Sequence, residues 1–196
     1  MFIKETDARR LLKEAYKGAG LHIVNDELGL GIFGTTWHMY VFKENLPKEI
    51  LGAIITLTGE IPAEGEQIHY SQDQPHGQRE IFKTEPTHDI YRRAMEAQAG
   101  HNVVGSTDIA IEDLFKNQYR LYTDRGEEVR VYALPDKYRE MIDAGYCEKD
   151  EEFYGSYAMD SWIYWVSSYM AFSYPTYMAR AEIKARAENL LKVGMI

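Results

Sequence analysis

Four of the six histidines lie within one third of the chain, and they are the first residues to consider as metal ligands. They are His69, His76, His88 and His101. Their spacings of 7, 12 and 13 residues match none of the close pairs that zinc sites use. The first ligands to test would be His69 and His76, and Glu66 or Asp73 would complete such a site. We expect no metal ion and no other cofactor, and we interpret these histidines as surface or hydrogen-bonded side chains.

Cys147 is the single cysteine, so the chain can form neither an internal disulfide nor a cage of thiolates around zinc. A catalytic thiol needs a nearby base or positive charge to form its thiolate. The surroundings of Cys147 are instead acidic, and Lys149 is the only basic residue between positions 143 and 152. The acidic neighbours are Asp143, Glu148, Asp150, Glu151 and Glu152. Because negative neighbours raise the pKa of a thiol, we expect Cys147 not to act as a nucleophile.

The acidic run at residues 148–152 is followed by tyrosines, and this combination is typical of a surface that binds another protein. We predict partner contacts for Glu148, Asp150, Glu151, Glu152, Tyr154 and Tyr157. Carboxylates increase the association rate of a positively charged partner, whereas tyrosine rings supply contact area that slows its dissociation. The sequence therefore predicts a protein partner with a basic face.

The overall charge disfavours other kinds of partner. The 196 residues include 22 Lys and Arg against 31 Asp and Glu, which gives a formal net charge of −9. Proteins that bind the phosphate backbone of nucleic acids usually carry a positive charge, so direct binding of nucleic acid is disfavoured. We find no apolar stretch of about 18 residues and no secretory leader, and a single cysteine suits a reducing compartment. We therefore expect a cytoplasmic protein that binds no membrane, and its oligomeric state stays open.

Apolar spacing and turn residues predict the elements that must position these side chains. Helices are expected near residues 7–17, 46–57, 86–99, 106–115, 136–142 and 176–191. Strands are expected at residues 21–24, 36–42, 119–122 and 128–133. Residues 63–84 are polar and contain Gly and Pro, so we interpret them as a long functional or mobile loop flanked by short strands. This mixture predicts a single α+β domain over residues 1–196, with a mainly antiparallel sheet and flanking helices.

The segment from residue 153 to residue 177 holds 10 of the 25 aromatic residues of the chain. If residues 160–173 form a helix, Trp162 and Tyr169 share one face and supply the core of the domain. Alternatively, Trp162, Trp165 and the neighbouring tyrosines line a binding surface beside the acidic run. The first interpretation predicts that Trp162 and at least one of Trp165 and Tyr169 are mostly buried.

A pattern in the N-terminal third of the chain extends from residue 8 to residue 62. It comprises Ala8 to Leu21, Trp37, Leu46 to Glu49 and Leu57 to Pro62, with a further match at Ile163 to Trp165. This pattern resembles small uncharacterised proteins that are carried by phages and integrative mobile elements of gut bacteria. The matching motifs carry no known chemistry, so the resemblance implies no catalytic residues.

The resemblance implies a non-enzymatic protein that binds host machinery. In that setting an acidic protein blocks nucleic-acid-binding defence proteins by presenting negative charge, so an anti-defence inhibitor of the anti-CRISPR type is the sharpest hypothesis. The alternative is a small intracellular hydrolase or nucleotide-directed enzyme with a cleft near the 63–84 loop. An open acidic and aromatic surface would favour binding, whereas a pocket with converging histidines and carboxylates would favour catalysis.

Overall fold

Two antiparallel sheets and five helices make up the part of the chain that the computed structural model describes, namely residues 1–81, 90–124, 130–176 and 180–195. The helices are α1 (Glu5–Lys17), α2 (Lys48–Thr58), α3 (Ile90–Ala99), α4 (Lys137–Met141) and α5 (Ala181–Lys192). The strands are β1 (Leu21–Asn25), β2 (Gly29–Phe33), β3 (His38–Phe42), β4 (Glu66–Ser71), β5 (Gln74–Ile81), β6 (Val104–Glu112), β7 (Gln118–Asp124), β8 (Val131–Pro135), β9 (Phe153–Met159), β10 (Trp162–Ser167) and β11 (Met170–Pro175). This architecture confirms the predicted α+β class with antiparallel sheets.

The larger sheet contains eight strands in the order β5-β4-β1-β2-β3-β11-β10-β9. Two meanders, β1 to β3 and β9 to β11, meet where β3 pairs with β11 and places Met39 opposite Phe172. The hairpin of β4 and β5 extends the first meander, because β4 pairs with β1. The acidic run ends immediately before β9, so it lies beside the edge strand of the second meander.

Both faces of the larger sheet are covered by helices. On one face, Leu12 of α1 belongs to the same apolar cluster as Ile23 and Phe172 of the sheet. On the other face, Ala94 of α3 belongs to a separate cluster with Tyr164. A strand that is buried on both faces reads as a continuous apolar run in the sequence, without the alternation that marks a half-exposed strand.

The smaller sheet contains β6, β7 and β8, and α5 packs against its outer face. Ile111 of β6 and Ile183 of α5 belong to the apolar cluster between them. The inner face contributes Tyr122 to the main core. The smaller sheet is attached to the larger one at the start of β6, where Val103 forms a bridge with Tyr157 of β9. The two sheets are therefore joined at this bridge as well as through the main core.

The helix predicted for residues 106–115 is wrong, because most of this segment belongs to β6. Ser106 and Thr107 suggest a helix N-cap, since hydroxyl side chains favour that position. In the structure, the Thr107 hydroxyl instead donates to the carbonyl of Leu121 at 3.0 Å and accepts from the amide of Ile109 at 3.1 Å. These bonds stabilise the register shift in the pairing of β6 with β7.

Residues 160–173 do not form the helix on which the core interpretation depends, since β10 and β11 occupy this segment. Tyr164 packs in the cluster beneath α3, whereas Trp165 packs in the main core, so both faces of β10 are apolar and its alternation is hidden. The turn before β10 is formed by Asp160 and Ser161, which have φ angles of 51° and 64°. Two successive left-handed residues match the twist of a two-residue hairpin, and this turn therefore joins β9 to β10.

Residues 63–84 do not form the predicted long loop, because most of them belong to the hairpin of β4 and β5. Ile68 and Tyr70 of β4 are fully buried, while His69 between them is only half-buried. The polar composition of β4 reflects a strand with a single buried face. Residues 82–84 of the prediction lie outside the described residues.

Candidate functional site

The acidic run, residues 148–152, connects a 3-10 turn at Ala144–Tyr146 to the start of β9. The Asp143 carboxylate accepts a backbone hydrogen bond at 2.8 Å and caps this turn. At the other end, the amide of Ser168 donates to the carbonyl of Glu152 at 2.9 Å, and the amide of Glu152 donates to the Ser168 hydroxyl at 3.0 Å. The backbone of the run is therefore held at both ends.

Glu151 is turned inward, which corrects the prediction that it contacts a partner. Its side chain is 0% exposed and forms an ion pair with the amino group of Met1. The Ser167 hydroxyl donates to one carboxylate oxygen at 2.6 Å, and the amide of Glu148 donates to the other at 3.3 Å. Because a buried charge requires a counter-charge and hydrogen bonds, Glu151 anchors the run to the fold.

The carboxylates of Glu148, Asp150 and Glu152 are exposed, and together with the ring of Tyr169 they form what we term the acidic surface. The Tyr169 hydroxyl donates to the Asp150 carboxylate at 2.6 Å. This bond lowers the pKa of Asp150 and raises the pKa of Tyr169 to about 12, because it stabilises the carboxylate and retains the phenolic proton. Asp150 is therefore ionised at neutral pH and held by a charge-assisted hydrogen bond.

The two tyrosines predicted as partner contacts differ in exposure. Tyr157 is 8% exposed, belongs to the cluster beneath α3 and donates its hydroxyl to the carbonyl of Tyr154 at 2.6 Å. The prediction of an exposed contact at Tyr157 is therefore wrong, since its ring stabilises the fold. Tyr154 is half-buried and remains partly accessible beside the acidic run.

Two further tyrosines, which are not among the predicted contacts, border the exposed carboxylates. Tyr146 is 39% exposed and lines a cavity of about 370 Å³ together with Lys4 and Glu148. In the sequence, only its position two residues before the acidic run marks Tyr146 as a candidate contact. Tyr169 lies 19 residues from Asp150 in the chain, so only the folding of the β10–β11 hairpin brings them together.

Cys147 lies next to the buried Glu151 and is itself partly buried. Burial raises the pKa of its thiol to about 11, and the Glu151 carboxylate adds to this effect. The amino group of Met1 acts in the opposite direction but is outweighed. The predicted increase in the pKa of Cys147 is confirmed, and the thiol carries no appreciable thiolate at neutral pH.

The histidines and carboxylates considered as metal ligands are spread over the edge hairpin. His69 faces His22 of β1, with ring centres 6.3 Å apart. The Glu66 carboxylate accepts a backbone hydrogen bond at 2.9 Å, Asp73 is exposed, and the side chain of His76 lies outside the described residues. Within the part of the chain that the structure describes, no group of three His, Cys, Asp or Glu side chains is arranged to hold a metal ion.

A row of imidazole and aromatic rings crosses the larger sheet on the face that α3 partly covers. Successive ring centres are separated by 6.3 Å from His69 to His22 and by 5.6 Å from His22 to Phe33. The row continues with 4.9 Å from Phe33 to His38 and 4.7 Å from His38 to Trp162. These residues become neighbours only through the register of β4, β1, β2, β3, β11 and β10, so neither spacing nor composition could reveal the row.

No protein-family model matches the chain, and no curated protein or solved structure is significantly similar to it. None of the helices in the described residues combines the length and the apolar character needed to cross a membrane.

Proposed function

We propose that this protein is a non-enzymatic interaction protein that binds its partner through the acidic surface. The observation that carries the proposal is that the acidic run contains one buried carboxylate and three exposed ones. Glu151 is buried as an anchor, whereas Glu148, Asp150 and Glu152 are held outward on a fixed backbone. Carboxylates fixed in this way favour a partner with a basic face, because little conformational freedom is lost on binding.

Charge and aromatic rings would act at different stages of this binding. Exposed carboxylates accelerate the encounter with a positively charged surface, although salt at about 0.15 M limits their reach to about 8 Å. The rings of Tyr146 and Tyr169 border the carboxylates and offer apolar contact area, which slows dissociation. The net charge of −9 adds a longer-range attraction at low salt.

A nucleic-acid-binding protein is the class of partner whose chemistry fits this surface best. Such proteins present Lys and Arg side chains to phosphates, and a protein that places carboxylates against them competes with the nucleic acid. The resemblance of residues 8–62 to proteins of phages and integrative elements supports a host defence protein in this role. The chain would then be a cytoplasmic inhibitor of the anti-CRISPR type, and its own negative charge disfavours direct contact with nucleic acid.

An enzyme with a cleft near residues 63–84 is the less supported function. Residues 66–71 and 74–81 are paired strands of an edge hairpin. The cavity beside Tyr146 and the cavity beside Trp165 are lined by residues from other parts of the chain. The Cys147 thiol, with a pKa of about 11, offers no nucleophile at neutral pH.

Quantitative capture of partners from a lysate of gut bacteria tests the proposed function. The surface variant combines Glu148→Gln, Asp150→Asn and Glu152→Gln, which removes three negative charges with little change in side-chain shape. The matched control variant combines Glu112→Gln, Glu182→Gln and Glu188→Gln, which removes three exposed charges from β6 and α5. Mass spectrometry of the captured proteins then compares the two variants with the parent.

We expect the parent and the control variant to capture the same basic nucleic-acid-binding protein. The surface variant should capture at least about tenfold less of it, which corresponds to about 1.4 kcal/mol of binding free energy. Free nucleic acid added to the lysate should also displace the partner from the parent. Equal capture by the surface variant, or capture of no protein with a basic face, contradicts the proposal.

A further inference from the structure

The exposed side of α2 carries almost no charge. The helix contains eleven residues, and its only charged side chains, Lys48 and Glu49, lie in the first turn. One side of the helix packs against the main core, where Ile50 and Ile54 are fully buried, and the opposite side is exposed. We term this exposed side the outer face of α2, and it comprises Lys48, Gly52, Ile55 and Thr56. Beyond the first turn, the outer face is therefore uncharged.

The neighbouring helix α1 provides a comparison within the same molecule. α1 packs beside α2, and its exposed side chains are mostly charged. They include Arg9, Arg10, Lys13, Glu14 and Lys17. A helix with one side in water normally carries charged and polar residues on that side, whereas a helix that is apolar all round is normally buried. The composition of α2 is therefore typical of a helix whose outer face is also covered.

Gly52 lies at the centre of the outer face, and no described part of the molecule requires a glycine there. Beyond the backbone of its own helix, a Cβ atom at Gly52 would meet nothing within 4 Å, so alanine would fit. Glycine makes a helix less stable than alanine does, because it loses more backbone freedom on folding. The absence of a side chain instead allows another molecule to approach the backbone closely.

Ile55 is the large apolar side chain of the outer face, and it is 44% exposed. It follows Gly52 by three residues, so the two lie on the same side of the helix about one turn apart. The Thr56 hydroxyl donates to the carbonyl of Gly52 at 2.7 Å, which satisfies this hydroxyl within the helix. The outer face therefore combines a projection at Ile55 with a depression at Gly52.

The two ends of the outer face carry opposite charges. Lys48 is exposed at the start of α2 and forms no ion pair with the described residues, while Glu49 lies about 100° around the helix, beside this face. At the other end, Gly59 caps the helix and the exposed Glu60 follows. The last carbonyl groups of the helix add a partial negative charge there. Because Lys48 and Gly59 are about 16 Å apart along the helix, these opposite charges cannot pair within one chain.

We propose that the outer face of α2 binds the same face of a second copy of this chain, with the two helices antiparallel about a two-fold axis. Each Ile55 then fills the depression at Gly52 of the other copy, and each Lys48 lies against Gly59 and Glu60 of the other copy. One axis produces both contacts, because the midpoint between Gly52 and Ile55 is also the midpoint between Lys48 and Gly59. The outer face contains no residue of the acidic surface, so the proposal does not depend on the proposed function.

Sedimentation velocity of the parent protein tests for this dimer. A contact through one pair of eleven-residue helices is small beside the about 1,200 Å² that a stable interface buries, so we expect a reversible dimer with a micromolar dissociation constant. The measurement spans micromolar to millimolar protein at about 0.15 M salt, which limits the repulsion between two copies of charge −9 to about 8 Å.

Replacement of Gly52 separates a contact between copies from a role within one chain. Gly52→Gln fills the depression with a residue that favours helices, so it should weaken the dimer at least about tenfold and leave the Tm unchanged or raised. The matched control Ala185→Gln places the same side chain on the exposed side of α5 and should not change the dissociation constant.

Reversal of the end charges identifies the second copy as the partner. Lys48→Glu and Glu60→Lys should each weaken self-association at least about tenfold, because each brings like charges together at both ends of the interface. An equimolar mixture of the two variants should associate about as strongly as the parent, because every contact in the mixed dimer again joins opposite charges. Since the mixture contains the same molecules as the separate samples, altered folding does not explain its recovery.

Three results would overturn the proposal. They are a parent protein that stays monomeric up to millimolar concentration, a dimer that Gly52→Gln does not weaken, and a mixture of the charge variants that associates no more strongly than either variant alone. The substituted residues are exposed, and the Tm of each variant verifies that it is folded.

Discussion

Replacing Glu151 with Gln should destabilise the fold, although this residue belongs to a run of acidic side chains. The Glu151 carboxylate is 0% exposed, forms an ion pair with the amino group of Met1 and accepts the Ser167 hydroxyl at 2.6 Å. Glutamine retains the shape and one acceptor oxygen, but not the negative charge. The ammonium group of Met1 would remain buried without a counter-charge, and removal of one partner from such a pair costs about 3–5 kcal/mol.

We use the lower value of about 3 kcal/mol, since glutamine still accepts the Ser167 hydroxyl. For a domain of this size, about 1 kcal/mol shifts the Tm by about 2–4 °C, so Glu151→Gln should lower the Tm by about 6–12 °C. Calorimetry and urea unfolding measure the change, with any purification tag at the carboxyl end, because a tag on Met1 removes the same ion pair. Glu152→Gln is the matched control, and this exposed neighbour should change the unfolding free energy by less than about 0.5 kcal/mol.

Equal Tm values for Glu151→Gln and Glu152→Gln would refute this reasoning, because they would show that Glu151 is solvated and belongs to the acidic surface. Salt dependence gives an independent check. A buried ion pair is screened much less than an exposed one, so the loss of stability in Glu151→Gln should persist in high salt.

Three further predictions concern single side chains. Trp165→Ala should cost about 3–5 kcal/mol of unfolding free energy, because Trp165 is 4% exposed, and Trp162→Ala should cost less, because Trp162 is half-buried; urea unfolding compares the two. Tyr169→Phe should raise the pKa of Asp150 towards its ordinary value, since it removes the hydrogen bond that lowers this pKa, and an NMR titration that shows no change contradicts the assignment. Cys147 should react with iodoacetamide at pH 8 about 100-fold more slowly in the folded protein than in urea, because a pKa of about 11 leaves little thiolate, and similar rates would exclude this pKa.

The helices with one buried face could be predicted well from the sequence. The apolar spacing of α1 identifies its buried residues, which are Ala8, Leu11, Leu12 and Ala15. Pro47 marks the start of α2, whose first helical residue is Lys48. In both helices a single face is buried, so the period of the helix appears directly in the order of residues.

The aromatic strands could not be predicted in this way. The expected burial of Trp165 or Tyr169 is confirmed for Trp165, which is 4% exposed, whereas Trp162, on the opposite face of β10, is only half-buried. A helix over the same residues would have placed side chains at three- and four-residue spacing, such as Trp162 and Trp165, on one face. Burial on both faces removes the alternation of apolar and polar residues that distinguishes a strand. The hairpin turn at Asp160 and Ser161 also lacks the glycine that usually marks such a turn in a sequence.

The acidic run could be located from the sequence, but its inward and outward members could not be told apart. Glu151 and Glu152 are adjacent and chemically identical. What separates them is contact with Met1, which is 150 residues away in the chain, and with Ser167, which is 16 residues away. Only the folded structure brings these groups together, so only the structure identifies which carboxylates are available to a partner.

The association rate constant of the captured partner tests the central claim most directly, because the claim is that the exposed carboxylates of Glu148, Asp150 and Glu152 attract a basic face. Stopped-flow measurements at low salt and at about 0.15 M would compare the parent, the surface variant and the control variant. We predict that the surface variant associates at least about tenfold more slowly at low salt, that the difference shrinks at about 0.15 M, and that the control variant behaves like the parent. Equal association rates for the surface variant and the parent at low salt would contradict the claim.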